Sequence, residues 1–167
     1  MVAVNKTIDI DRGEKEILRQ VAEMKKKPYV KVGILGNAGN HKETGTPVVL
    51  YAGANEFGTK DGRVPERSFI RSTMDQQRRN LNAETEKLVK QISQGRQTVM
   101  SVLKILGLSI QSKIRKKITT LSSPPNRPST IAKKGSSNPL IDTGQMRSSI
   151  NFEVVKDGRL EGSSGGI

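Results

Sequence analysis

The apolar residues Val99, Val102, Leu103, Leu106, Ile110, Ile114 and Ile118 recur at three- and four-residue steps. That spacing places them on one face of an α-helix, and a row so long has to be taken out of water. It is the most hydrophobic element of the chain, so every other element is expected to be arranged around it. Large anchors are scarce: 33% of the 167 residues are hydrophobic, 3% are aromatic and there is no Trp. A chain of this length has room for one domain, residues 1–167, with a modest core. Part of its burial is therefore expected to come from neighbouring subunits.

The remaining elements can be read by the same means. Ile17, Leu18, Val21 and Met24 mark an amphipathic helix over 13–27, closed by Lys25, Lys26 and Lys27 against the negative end of the helix dipole and stopped by Pro28. Tyr29 to Leu35 alternates as a strand, Gly36 to Pro47 reads as a loop, and Val48 to Phe57 reads as a second extended stretch pairing antiparallel with the first. After a polar turn at Thr59 to Pro65, a second long helix carries Ile70, Met74, Leu81, Leu88 and Ile92, and Gly95 interrupts it before the central helix. Asp142 to Gln145 has capping-box spacing, and Ile150 to Val155 alternates as a last strand. The fold class is thus α+β, a small antiparallel sheet packed against long helices. One core is expected to hold Phe57, Phe69, Leu103, Leu106, Ile110 and Phe152.

Two segments read as irregular. Residues 119–138 contain Pro124, Pro125, Pro128, Gly135 and five serines, too polar to offset by internal burial the roughly 1 to 2 kcal/mol per residue that ordering a backbone costs. This Pro/Ser/Lys-rich stretch is expected to be an extended arm ordered from outside, with Pro124, Pro125, Arg127, Lys133 and Lys134 meeting a partner. The Gly- and Ser-rich residues 157–167 read as a flexible tail.

Little in the chain suggests chemistry. There is no cysteine, which removes disulfides, thiolate nucleophiles and thiolate metal sites together. The single histidine, His41, reads as a solvated loop residue, so no catalytic residue, metal or cofactor is expected. Gly33 to Gly39 follows a strand but lacks the Gly-Lys-Ser/Thr ending of a phosphate loop, and a hairpin connection is the better reading. Glu56, Asp61 and Glu66 are expected to cap the following helix and pair with Arg63, Arg67 and Arg71 rather than hold a cation. The net charge of +13 would suit nucleic acid, acidic protein or anionic lipid. The run Lys113 to Lys117 could meet a phosphate backbone, though a solvated helix end is the preferred reading, and the lack of interleaved aromatics speaks against single-strand stacking. Met1 to Asp11 has no secretory apolar run, and no segment reaches the roughly 18 apolar residues of a spanning helix, so a soluble chain made inside the cell is expected.

Two motifs add a resemblance. Tyr51-Ala52-Gly53-Ala54-Asn55-Glu56-Phe57-Gly58-Thr59, followed by Val64-Pro65-Glu66-Arg67-Ser68-Phe69-Ile70-Arg71, is similar to a signature of tailed-phage virion-morphogenesis and tail-completion proteins. Pro139-Leu140-Ile141-Asp142-Thr143-Gly144-Gln145-Met146-Arg147-Ser148-Ser149-Ile150 resembles a second segment of the same proteins. Ser68 departs from the pattern, where such proteins often have Pro. The resemblance implies a non-enzymatic virion subunit, made in the bacterial cytoplasm, that forms a hexameric neck ring completing the tail. Its partners would be the head-tail connector and the tail terminator or tube, with genomic DNA passing through the lumen and no membrane. Tail terminator or minor tail component is the near alternative, and a basic nucleic-acid-binding module the alternative of another class. The motif residues have architectural roles in this reading: Phe57 ends a strand facing the core, Gly58 permits a turn and Phe69 anchors the next helix. Pro65 precedes that helix, Asp142, Thr143 and Gly144 shape a cap, and Tyr51, Glu56, Arg67, Leu140 and Ser149 complete the set.

Overall fold

The computed structural model describes residues 13–36 and 38–163. The expectation about Met1 to Asp11 and the end of the 157–167 tail lie outside them. In chain order the elements are α1 (Glu14–Lys25), β1 (Tyr29–Ile34), α2 (Val48–Phe57), α3 (Arg71–Ser93), α4 (Val99–Thr120), α5 (Pro128–Lys134), α6 (Gln145–Ser148), β2 (Ile150–Lys156) and β3 (Arg159–Ser163). The fold is α+β, with one antiparallel sheet in the order β1-β2-β3.

The central helix begins where its capping chemistry says it should. Thr98 Oγ1 accepts from Ser101 N at 3.1 Å and Ser101 Oγ accepts from Thr98 N at 3.0 Å, satisfying two of the amides that a helix start leaves free. Gly95, in the left-handed region at φ 67°, lets the chain reverse between α3 and α4. The two helices run antiparallel, with Lys113 Nζ 3.2 Å from Glu84 and Lys117 Nζ 3.3 Å from Gln76. Leu88, Ile92, Val99 and Val102 close one apolar cluster near this turn.

The sheet lies against α4 from Lys104, beside Gly162, to Gln111, beside Ile150. β1 pairs with β2 from Tyr29 opposite Val155 to Ile34 opposite Ile150. Ile114, Ile118, Phe69, Leu140, Met146 and Ile150 are buried together in the main cluster. Helix and sheet approach closely at Gly107, where a Cβ would stand 2.6 Å from Phe152 Cδ2 and 2.7 Å from its Cγ. Phe152 occupies the space that any larger residue would need. Gln111, buried in the apolar row, donates to Ile150 O at 2.7 Å.

Five expectations need correction. Val48 to Phe57 is a helix, not a strand: its buried residues Val48, Ala52 and Glu56 repeat every four, and Glu56 among them disguises the period. The partner of β1 is consequently β2. Phe57 is 68% exposed at the end of α2, outside the core, while Phe69 and Phe152 are buried and Leu103, Leu106 and Ile110 are half-buried across two clusters. Residues 119–138 are not wholly extended, because Pro128–Lys134 is helical and Leu121 packs on the main cluster. The tail contains β3, joined to β2 through Asp157 and Gly158 at φ 50° and 73°, a pair suited to a two-residue hairpin turn.

α1 is fastened by polar contacts. Gln20, its one buried residue, accepts from Val99 N at 2.8 Å, and Glu23 lies 2.5 Å from Lys156 of β2 and 2.9 Å from Lys26. The hydrogen bond from Lys156, and then that from Lys26, hold the Glu23 carboxyl down to about 2. Because the folded value is depressed, this contribution to stability is present above the ordinary value of about 4.5 and is lost as pH falls toward 2. In Lys156→Met, NMR titration should find the Glu23 carboxyl moved up toward the ordinary range. Gly107→Ala tests the packing. Alanine is the better helix former by about 1 kcal/mol, yet overpacking against Phe152 should lower stability in urea by about 1 to 3 kcal/mol.

Candidate functional site

The first motif forms a helix, a turn and the start of a second helix, joined by one carboxylate. Glu56, 5% exposed, is carried inward by the buried row of α2. It accepts from Ser68 Oγ at 2.8 Å, Phe69 N at 2.7 Å, Ile70 N at 2.9 Å and Arg71 N at 2.9 Å. The amides left free at the start of α3 thus meet a negative charge at the positive end of the helix dipole. Ser68 extends the cap, since its Oγ also accepts from Ser72 N at 3.1 Å.

The intervening turn is tight. Asp61 accepts from Thr59 Oγ1 at 2.6 Å and from Arg63 N at 3.1 Å, bonds that hold its carboxyl below the usual range. At Gly58, φ is 72° and a Cβ would lie 3.1 Å from Glu66 N, so only glycine fits without displacement. Pro65 is half-buried ahead of the helix, and Phe69 is fully buried beneath it. Glu66 pairs with Arg71, and Asp61 with Arg63 at 3.1 Å, as the sequence suggested.

Arg67 does something the sequence did not suggest. Its side chain, 7% exposed, turns away from the acids into residues 124–126. Nε donates to Pro124 O at 2.8 Å, and Nη2 donates to Pro125 O at 3.0 Å and to Asn126 Oδ1 at 3.2 Å. Burial pushes this guanidinium below its ordinary value. Asn138 fastens the far end of the segment, donating to Thr119 O at 2.8 Å and accepting from Leu140 N at 2.9 Å. The segment's order therefore has internal sources. Asn126 and Asn138 are the residues overlooked, and their only signal was a short amide side chain among prolines, where it can bond nearby backbone. Arg127 and Lys133 are exposed, while Lys134 is half-buried and donates to Asn138 O at 3.3 Å.

The second motif closes against the first. His41, Tyr51, Asn55, Lys134, Leu140 and Asp142 line a cleft of about 270 Å³ that Thr143, Gly144 and Gln145 complete. Leu140 and Ser149 are buried, and Ser149 Oγ donates to Gln145 O at 2.8 Å. The expected capping box is absent: Gly144, at φ 78°, is the N-cap without a side-chain bond, and Gln145 Nε2 donates instead to Asn40 O at 2.7 Å. Asp142 and Thr143 are exposed on the rim. Burial, and then the charge of Asp142, push the Tyr51 hydroxyl above its ordinary value. His41 is half-buried, its ring edge-on to Tyr51 at 5.9 Å, and is not the solvated loop residue expected.

The other side of α2 faces outward. Val49, Leu50 and Phe57 are 56%, 63% and 68% exposed, and Val49 and Phe57 border an open apolar groove with Ile34, Gly53 and Ile70. The Arg71 guanidinium carbon sits 6.0 Å from the Phe57 ring centre. A second apolar row, Ile17, Leu18, Val21 and Met24, is exposed on α1. Among the described residues no group of His, Cys, Asp or Glu is arranged to hold a metal, and no helix is long and apolar enough to cross a membrane. Comparison with models of protein families, with curated proteins and with solved structures found no match.

Glu56→Ala should lower stability by about 2 to 4 kcal/mol, since it strands the buried Phe69 amide and three part-buried donors at once. Glu56→Gln, which retains one acceptor oxygen, should fall between; denaturant titration of the three proteins gives the order.

Proposed function

We propose that this chain is a structural subunit of a tailed-phage neck, assembling with copies of itself into a six-fold ring that completes the tail and meets the head connector. The observation that carries the assembly reading is the outward apolar face of α2, with Val49, Leu50 and Phe57 each more than half exposed on a helix whose other side is buried. A hydrophobic surface fixed in direction by the Glu56 cap is suited to a partner. The apolar row of α1 lies on a different element, so the row of one copy can meet the groove of the next. Such head-to-tail contacts close into rings when the rotation between copies allows. The placement in a phage neck is supported by the two sequence motifs, which line one cleft and so act as a single architectural unit. Tail terminator or minor tail component would use the same surfaces. The reading assigns no catalytic residue, metal or cofactor, and places the finished subunit in the virion.

Phe57→Glu and Val49→Glu are the direct test, because both residues are exposed and their exchange should leave the fold intact by circular dichroism. Analytical ultracentrifugation and negative-stain microscopy should show rings for the parent chain and monomers for both variants. Added salt should strengthen ring formation by screening the +13 charge carried by each copy. A parent chain that stays monomeric at high concentration and high salt would remove the ring reading.

A further inference from the structure

The central helix α4 carries Lys104, Lys113, Arg115, Lys116 and Lys117, and no acidic residue. Positive charge near a helix C-terminus is ordinarily stabilised by the dipole, which accounts for Lys116 and Lys117 without any ligand. It does not account for Arg147, which comes from α6. Arg115 Nη2 donates to Ser148 O at 3.1 Å and to Ile150 O at 2.8 Å, bonds that draw it toward α6 and set it beside Arg147. Burial first, and the charge of Arg147 second, push the Arg115 guanidinium below its ordinary value. Arg147 and Lys116 are both exposed, and neither has an ion-pair partner among the described residues.

These three cations share a hollow with the hydroxyls of Ser112, Thr119 and Thr120. Lys116 and Thr120 also border the next hollow, which Lys113, Lys117, Gln76 and Gln77 complete. The result is a continuous strip of cations, hydroxyls and amides along α4 from Ser112 to Thr120, roughly 12 Å of helix axis. No carboxylate and no aromatic ring lines either hollow. We infer that this strip, from Arg147 across Arg115 and Lys116 to Lys117, binds the phosphate backbone of duplex nucleic acid. Several phosphates fall within its length on a duplex, which carries one charge per roughly 1.7 Å. The missing aromatics decide between duplex and single strand, since sequence-tolerant single-strand sites depend on base stacking. Hydroxyls and amides can hydrogen-bond phosphate oxygens without reading bases, so binding is expected to be indifferent to sequence. The inference concerns the isolated chain and does not depend on the ring.

Fluorescence anisotropy with a short labelled DNA duplex, titrated with KCl, tests it. The parent chain should bind at low salt, with a log-log salt slope of about −3 for the three or four phosphates contacted. Lys116→Gln combined with Arg147→Gln should weaken binding about ten-fold at low salt and make the slope shallower by about 2. Lys42→Gln combined with Lys60→Gln removes the same charge from exposed positions elsewhere and should change affinity less than about two-fold. Lys116→Arg with Arg147→Lys should retain binding, showing that charge is what matters. Equal weakening by both glutamine pairs would reduce the strip to diffuse net charge and overturn the inference, as would absence of duplex binding at low salt. Release of the duplex by inorganic phosphate at constant ionic strength would reassign the strip to a small anion. Uptake by phosphatidylglycerol vesicles in preference to the duplex would reassign it to lipid. Either result overturns the proposal.

Discussion

A single buried carboxylate sets the geometry on which the rest of the molecule depends. Glu56 reaches four donors at the start of α3, and a helix with its first amides unmet inside a protein would leave several buried groups without partners. By meeting them from α2, the side chain ties the end of one helix to the start of the next. The same placement seats Phe69 in the main cluster and aims Arg67 at residues 124–126. It also determines which side of α2 is left over, and that side is the apolar one.

On α1 and α2, polar residues position the helix and apolar ones are left at the surface. α1 is anchored by Gln20 on the first amide of α4 and by Glu23 on Lys156, while Ile17, Leu18, Val21 and Met24 stay exposed. In an isolated globular domain the reverse is usual. The two surfaces proposed to matter also respond oppositely to ions: apolar contact between like-charged copies gains from screening, whereas phosphate binding by the α4 strip loses from it.

The long helices and the strands 29–34 and 150–156 were legible because their apolar residues keep a clean period of 3.6 or 2. Val48 to Phe57 was not, because its buried face includes a glutamate that makes sense only once the amides of residues 69–71 are known to lie beside it. Asp157-Gly158 carried a readable hairpin signal, masked by the glycines and serines after it. Residues 119–138 misled for another reason. Composition correctly excludes a hydrophobic anchor for most of that stretch, but it cannot reveal an arginine more than fifty positions earlier that hydrogen-bonds its backbone. The two motifs could be seen in the sequence, and their meeting in one cleft could not.

The grip of Arg67 on residues 124–126 is directed mostly at main-chain oxygens. Every amino acid supplies a carbonyl, so the bonds to Pro124 O and Pro125 O recognise the path of the loop, and the bond to Asn126 Oδ1 is the one that depends on a side chain. A substitution in the stretch that leaves its backbone in place therefore leaves the carbonyl contacts of Arg67 intact. A region that resembles a variable linker in sequence can in this way behave as a fixed part of the scaffold.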